Sequence, residues 1–162
     1  MHTDGHPRPS PGRPSSGPPP RILLVDTLPE RRAGLTLLLE DTGMCVFGTA
    51  SGTEALAIIG LVAPDVAVVD LRVADWDGLS LIRQLRRRRP TLAVVAHSAT
   101  DRATVFPAAA SAGAVDVVDG HTTPDGIVRS IREAVRLSRT TTPLVSDARP
   151  RGGLPRAPRG TP

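Results

Sequence analysis

With 162 residues and a formal net charge of +4, the chain is long enough for one hydrophobic core with segments left over. The single cysteine, Cys45, excludes an internal disulfide framework, and no Cys/His group has the spacing of a zinc site. We expect Cys45, which lies in an apolar run, to be a small buried hydrophobe. No segment has the apolar stretch of a signal peptide or of a membrane span, which predicts a cytoplasmic protein with no membrane association.

Composition divides the chain into three segments. Residues 1–20 and 138–162 are rich in Pro, Gly, Ser and Arg and have little to bury, so we expect disordered tails. Residues 21–137 form the predicted domain and carry a net charge of −1, whereas residues 138–162 carry +4. The basic character therefore belongs mostly to the C-terminal tail. We expect no direct DNA binding by the domain, and no linked DNA-binding module after Leu137.

Strands and helices alternate along the predicted domain. In chain order the patterns predict a strand over 21–26, a helix over 29–41, a strand over 44–49, a helix over 53–62, a strand over 66–70, a helix over 78–88, a strand over 92–97, a short Ala-rich segment up to 113, a strand over 115–119 and a helix over 124–137. Pro107 interrupts the Ala-rich segment, so a helix there is expected to start near Pro107 or to be kinked. Five βα units predict a parallel sheet with helices on both faces.

Three helix starts carry capping signals. Thr27-x-x-Glu30 and Ser51-x-x-Glu54 have the spacing of capping boxes, and Thr123 precedes a proline at the first helical position. Thr27 is accordingly expected to be the N-cap of the first helix.

Polar residues stand where three of the predicted strands end. Asp26 ends the first strand, Asp70 ends the third, and Ser98 follows the fourth. In parallel α/β sheets the functional site lies at the carboxyl ends of the strands, so these side chains are expected to converge if their strands are neighbours. Two carboxylates and a hydroxyl suit Mg²⁺ and a phosphoryl group, and a carboxylate nucleophile can form an aspartyl phosphate.

The same residues lie in motifs that resemble the receiver domain of bacterial two-component response regulators. The motifs are ILLVD-x-x-P at the first strand, PDVAVVDLRVADWDGLSLIRQL around Asp70, HSA over residues 97–99 and SAGAVDVV over residues 111–118. The resemblance covers nearly all of residues 21–137. It implies a flavodoxin-like, doubly wound α/β fold with five parallel strands in the order 2-1-3-4-5.

The resemblance also implies roles for individual residues. Asp70 occupies the phosphoacceptor position, and Ser98 the position of the switch hydroxyl. A Mg²⁺ ion would be held by Asp26, Asp70 and the backbone carbonyl of Arg72. The expected partner is a histidine kinase or another signalling protein, and the chain itself is not expected to be an enzyme. Phosphatases with an aspartate nucleophile need a second aspartate two residues on, where this chain has Arg72.

Three positions depart from the family pattern. The family has two adjacent acidic residues after the first strand, but here Asp26 is followed by Thr27. Gly120 stands where the family has a lysine, and Val117 stands where it has an aromatic residue that accompanies switching. Loss of the lysine should weaken the phosphorylated state, and loss of one carboxylate should weaken Mg²⁺ binding. The leading hypothesis is therefore a degenerate receiver that binds a protein partner.

Several alternatives stay open at this stage. Ordinary phosphorylation of Asp70 competes with the degenerate mechanism, and a ligand- or protein-binding module without phosphoryl chemistry is the alternative function. Ser98 could cap the following segment, and Trp76 could shield its turn or contact a partner. The four arginines 86–89 are attributed to a helix C-terminus, where cations complement the helix dipole. His97 and His121 are expected to be loop histidines without a role in the site.

Overall fold

The computed structural model describes residues 17–141, which form a five-stranded parallel sheet flanked by five helices. The strands are β1 (Arg21–Val25), β2 (Cys45–Thr49), β3 (Val66–Asp70), β4 (Ala93–Ser98) and β5 (Asp116–Asp119). The helices are α1 (Pro29–Asp41), α2 (Gly52–Val62), α3 (Gly78–Arg88), α4 (Arg102–Ala112) and α5 (Pro124–Thr141). The sheet order β2-β1-β3-β4-β5 confirms the predicted doubly wound, flavodoxin-like α/β fold.

The sheet separates two hydrophobic cores, and this separation explains the apolar runs of its central strands. Helices α2, α3 and α4 pack on one face, where the core includes Leu81, Ile82 and Leu85 of α3. Helices α1 and α5 pack on the other face, where Leu39 and Ile131 are fully buried. Strands β1, β3 and β4 are covered on both sides, so their residues are apolar without alternation.

Strand register brings the predicted site together at the carboxyl edge of the sheet. Val25 pairs with Val69, which places Asp26 and Asp70 at the ends of adjacent strands. Asp70 pairs directly with His97 of β4. The site is therefore assembled by the parallel pairing of β1, β3 and β4, as the strand-end reasoning predicted.

Helix α4 differs from the prediction. It begins at Arg102, five residues before Pro107, so the expectation of a start near Pro107 is wrong. The Asp101 side chain caps it by accepting hydrogen bonds from the amides of Ala103 and Thr104. Pro107 removes one hydrogen bond of the helix ladder, and the cap together with apolar packing of the first turns compensates for that loss.

Thr27 does not cap α1. The helix starts at Pro29, so Leu28 occupies the N-cap position and makes no side-chain cap hydrogen bond. The predicted capping box at Thr27 is therefore wrong, because the helix begins one residue too late for it. At α2 the prediction holds for Ser51, whose hydroxyl accepts a hydrogen bond from the Glu54 amide at 3.2 Å.

Two further expectations need correction. Cys45 is exposed on edge strand β2 and is not a buried hydrophobe. Helix α5 continues through Thr141, so residues 138–141 belong to a helix and not to a disordered tail. Ser138 is itself buried, and its hydroxyl donates to the carbonyl of Thr91 at 2.9 Å. Residues 1–16 and 142–162, on which the remaining prediction of disorder falls, lie outside the described residues.

Arginines of the run 86–89, which forms the last turn and C-cap of α3, contact backbone carbonyls. Arg86 donates to the carbonyl of Leu92 at 2.5 Å, and Arg89 donates to that of Pro64 at 2.9 Å. These contacts support the structural explanation of the run. Between residues 17 and 141, no helix combines the length and the apolar character that crossing a membrane requires.

Candidate functional site

Two buried carboxylates form the centre of the site. Asp26 is 1% exposed and Asp70 is 4% exposed, although both stand at the open end of the sheet. One oxygen of each is held by the chain next to it: the Leu28 amide donates to Oδ1 of Asp26 at 2.8 Å, and the Arg72 amide donates to Oδ1 of Asp70 at 2.9 Å. These bonds fix both carboxylates in orientation.

The side chain of Arg31 connects the two carboxylates. Its Nε lies 2.5 Å from Oδ2 of Asp26, and its Nη2 lies 3.0 Å from Oδ1 of the same residue. The same Nη2 also donates to Oδ2 of Asp70. We call this contact between Arg31, Asp26 and Asp70 the guanidinium bridge. Burial by itself would lower the pKa of Arg31, but the hydrogen bonds and negative charges of the two aspartates raise it, so the cation is held firmly.

His97 also belongs to this cluster. The ligand atoms of His97, Asp26 and Asp70 all lie within 4.8 Å of one another. The imidazole Nδ1 is buried and has no hydrogen-bond partner within the described residues 17–141. Burial, followed by the positive charge of Arg31, lowers the pKa of His97, although the two aspartates oppose this shift. The imidazole is therefore neutral around pH 7, and the guanidinium is the cation that faces the carboxylates.

Ser98 is buried at the end of β4, beside the acidic pair in the sheet order. Its hydroxyl oxygen accepts a hydrogen bond from the Thr100 amide at 3.0 Å. Asp101, and not Ser98, caps the helix that follows. The hydrogen bond from Thr100 occupies part of the hydrogen-bonding capacity of the Ser98 hydroxyl. The role of Ser98 as a switch hydroxyl stays a prediction.

Thr27 holds two loops of the site together. Its hydroxyl oxygen accepts from the Ala74 amide at 3.1 Å, and its hydroxyl donates to the Ala50 carbonyl at 3.5 Å. The residue that replaces an acidic side chain thus connects the loop after β1 to the loop after β3. An uncharged hydroxyl has a structural function here that a second carboxylate would not reproduce without adding negative charge.

The loop between β3 and α3 is anchored to the start of α2. The carboxylate of Asp75 accepts hydrogen bonds from the Ser51 hydroxyl at 2.7 Å and from the Gly52 and Thr53 amides at 2.8 and 3.0 Å. These bonds, led by the one from Ser51, hold the pKa of Asp75 well below its usual range. The Trp76 indole donates to Thr53 at 3.0 Å. This bond adds a contact between the loop and α2, and the two interpretations of Trp76, as a shield of its turn and as a partner contact, stay predictions.

The end of β5 supplies no cation to the site. Gly120 stands there, and a Cβ added to it would meet no atom within 4 Å. Val117, at the position of the family's aromatic residue, is buried in the core. His121 lies exposed in the loop after β5, in agreement with its interpretation as a loop histidine.

Receiver domains generally bind Mg²⁺ at their acidic site, but the residues of this chain do not fit the ion as they are arranged. Both carboxylates that would hold it are already bound by the guanidinium of Arg31. A divalent cation and a guanidinium in the same place would repel each other while they compete for the same oxygens. Arg72, whose carbonyl was the third predicted ligand, lies in the exposed loop after β3, and its role as a ligand stays a prediction.

Arg31 and His97 are the two residues of the site that sequence reasoning missed. Arg31 lies five positions after Asp26 in the first turn of α1, so a helical projection would have placed it near the strand ends. His97 lies at the end of the strand predicted over 92–97 but was interpreted as a loop histidine without a role in the site, whereas it pairs with Asp70. The sequence signal for His97 was its position as the last residue of the predicted strand, one residue before Ser98.

Comparison with known proteins agrees with this geometry. Residues 22–132 match the family model of the response regulator receiver domain. A protein-glutamate methylesterase/protein-glutamine glutaminase from Anaeromyxobacter dehalogenans is 42% identical over 100 residues, which cover 60% of this chain and 28% of that protein. The probable transcriptional regulatory protein TcrX from Mycobacterium tuberculosis is 28% identical over 130 residues, which cover 80% of this chain and 56% of its own length.

Solved structures give the same result for the fold. A response regulator receiver domain protein from Methanospirillum hungatei superposes with a TM-score of 0.70 at 22% identity, over 75% of this chain and 98% of that one. A putative response regulator from Chloroflexus aurantiacus superposes with a TM-score of 0.69 at 28% identity, over 73% of this chain and 98% of its own. The chain spans 28 to 56% of the length of the two curated relatives named above. With the strand order, the acidic strand ends and the family match over residues 22–132, this chain belongs to the response regulator receiver domain family.

Proposed function

We propose that this chain is a degenerate receiver, which takes part in two-component signalling by binding a protein partner and not by efficient phosphorylation of Asp70. Its functional unit is the domain predicted over residues 21–137, extended to the end of α5. It acts in the cytoplasm and catalyses no reaction of its own. A histidine kinase or another signalling protein is the expected partner.

One observation carries the proposal: the Asp70 carboxylate is engaged on both oxygens by its own chain. The Arg72 amide binds one oxygen and the Arg31 guanidinium binds the other. A carboxylate nucleophile must present a free lone pair to an incoming phosphorus atom. Asp70 is also 4% exposed, so access to it would require the arginine to move. Its position matches the phosphoacceptor, while its surroundings oppose the reaction.

A second set of contacts supports binding through a preformed surface. Resemblance to the family implies that α4, β5 and α5 form the output face. Asp116 of β5 joins these elements, because it accepts hydrogen bonds from the Arg102 guanidinium of α4 at 2.8 Å and from the Ser130 hydroxyl of α5 at 2.6 Å. Arg102 also donates its backbone amide to Asp119 at 2.8 Å. None of these hydrogen bonds involves Asp70, so they hold the face together independently of that residue. A constitutive binding surface would require such independence.

The test is chemical phosphorylation of the full chain. Wild-type protein and the Asp70→Asn variant are incubated with acetyl phosphate and Mg²⁺, and separately with beryllofluoride, a mimic of the phosphoryl group. We expect no phosphate-dependent mass increase, and no amide NMR shifts around Asp26, Asp70 and Ser98. A stoichiometric adduct that disappears in Asp70→Asn would overturn the degenerate mechanism and assign ordinary phosphorylation to Asp70.

A comparison in cells of the source organism separates the remaining functions. If the chain signals without phosphorylation, Asp70→Asn keeps its activity and Asp116→Ala, which disconnects α4 from α5, loses it. A requirement for Asp70 with indifference to Asp116 would contradict the proposal. The alternative function, a phosphorylation-independent ligand- or protein-binding module on a receiver fold, would instead show a bound small molecule or a stably co-purified protein in native mass spectrometry of the purified chain.

A further inference from the structure

We infer that Arg31 is the resident cation of this site. It takes the place of the divalent ion and excludes it, so a side chain of the first helix blocks the acidic pair. This inference deepens the proposed function and rests on it, because it names what keeps the site of a degenerate receiver inactive. It goes beyond the loss of family residues at Thr27 and Gly120, since it assigns control of the site to a residue that is present, Arg31, and not to a missing one.

The acidic pair needs a cation between its two carboxylates. Asp26 and Asp70 bring two negative charges into a space that is almost closed to solvent. Among residues 17–141, Arg31 is the cation whose side chain contacts both carboxylates. Two carboxylates a few ångströms apart repel each other strongly in a poorly hydrated site unless a cation lies between them. The guanidinium bridge therefore has the electrostatic role that a bound metal ion would have.

The guanidinium of Arg31 also has the geometry that holds both carboxylates. Arg31 uses two nitrogens on Asp26, in the bidentate arrangement that guanidinium groups make with carboxylates, and it extends one of them to Asp70. Its side chain is 24% exposed, whereas those of the two aspartates are 1% and 5% exposed. The arginine is thus the member of the guanidinium bridge that is in contact with solvent. It can leave towards water without unfolding of the core, as a displaceable closure must.

Removal of the arginine should therefore restore metal binding. If the bridged form holds more than about 90% of the molecules, the apparent Mg²⁺ dissociation constant is raised at least about tenfold over that of an open site. The variant Arg31→Ala leaves Asp26, Asp70 and the Arg72 carbonyl in place and removes the competing charge. We expect it to bind Mg²⁺ at least about tenfold more tightly than the wild type.

The experiment is a Mg²⁺ titration of the full chain, followed by the fluorescence of Trp76, the chain's single tryptophan, and by amide NMR. Arg129→Ala on the exposed face of α5 is the matched control, because it removes the same charge far from the acidic pair. The double variant Arg31→Ala/Asp70→Asn shows whether any new binding uses the expected carboxylate. Because Arg31→Ala could fold poorly, Arg31→Gln is titrated in parallel, and its thermal midpoint is measured with and without Mg²⁺.

The expected result is Mg²⁺ binding in Arg31→Ala or Arg31→Gln, centred on Asp26 and Asp70, abolished by Asp70→Asn and absent from Arg129→Ala. Equal binding by the wild type and the Arg31 variants would overturn the inference, and so would folded Arg31 variants that bind no Mg²⁺. Either of these results leaves the proposed function standing if the wild type still takes no phosphate. Phosphorylation of the wild type would refute the proposed function by itself, so the two failures are distinguishable.

Discussion

Replacement of Arg31 by alanine should destabilise the fold by an amount that the burial of its partners determines. Two unit charges 4 Å apart interact by about 4 kcal/mol at an effective dielectric constant of about 20. Arg31 makes two such contacts with carboxylates that are 1% and 5% exposed, while its own side chain is 24% exposed. Removal of one member of a buried ion pair costs about 3–5 kcal/mol, and the partial hydration of Arg31 places this case near about 3 kcal/mol.

The assay is urea unfolding of the full chain without divalent ions, monitored by Trp76 fluorescence and far-UV circular dichroism. A loss of about 3 kcal/mol corresponds to a decrease of roughly 10 °C in the thermal midpoint of a domain of this size. Arg129→Ala is the control, because an exposed arginine away from any buried carboxylate should change stability by less than about 0.5 kcal/mol.

A double-mutant cycle with Asp26→Asn tests the physical reason. In the wild type this change removes a partner of the guanidinium bridge and should destabilise, although the asparagine oxygen can keep the hydrogen bond from the Leu28 amide. In Arg31→Ala the same change removes one of two repelling charges and should stabilise. Arg31→Ala no more destabilising than Arg129→Ala, or Asp26→Asn with the same sign in both backgrounds, would refute this reasoning.

Three other predictions concern two helical glycines, the imidazole and the thiol. Gly78→Ala should lose about 1–3 kcal/mol in urea unfolding, because its Cβ would lie 2.5 Å from the Cα of Leu71, whereas Gly60→Ala, which meets open space within α2, should gain about 0.5–1 kcal/mol; equal effects would show that the close approach is unimportant. The lowered pKa of His97 keeps it neutral in the folded state while the unfolded chain takes up a proton near the ordinary value of 6.5, so this contribution to stability is complete above pH 6.5 and decreases as the pH falls from there towards the folded pKa. His97→Asn should flatten that part of the profile by less than about 1.4 kcal/mol per pH unit, since the imidazole is partly hydrated, and an unchanged slope would contradict the assignment. Cys45 should react with a thiol reagent in the native protein at a rate that urea barely increases, and protection until unfolding would show that the thiol is buried.

Local sequence patterns were sufficient to predict the sheet and the position of its acidic edge. Apolar runs bounded by turns identify the buried strands β3 and β4, because both faces of a parallel sheet are covered and side-chain alternation disappears. Asp26 and Asp70 were recognised because each ends such a run. Alternation of strands with helical patterns then restricts the topology, since parallel strands need crossover helices of fixed hand.

Helix and strand ends were less accessible to the same reasoning, because tertiary contacts outweigh local preferences there. Thr27 has the spacing of an N-cap, yet its hydroxyl binds the Ala74 amide across 47 residues. Pro107 predicts that α4 starts near Pro107 or is kinked, yet capping by Asp101 and packing against the core allow the helix to begin at Arg102. Propensities describe isolated segments and cannot include a partner that arrives from a distant loop.

The sequence by itself determined the alternation of strands and helices and the acidic residues at the strand ends, because these follow from periodicity and position, and its motifs carried the resemblance that implied the family and the strand order. Only the tertiary structure decided what neutralises that acidic pair. Arg31 is one of many arginines in the chain, and although a helical projection places it near the strand ends, the sequence does not show that its guanidinium contacts both carboxylates. A guanidinium becomes a counter-ion through its position relative to buried carboxylates, and that position depends on how α1 packs against the ends of β1 and β3.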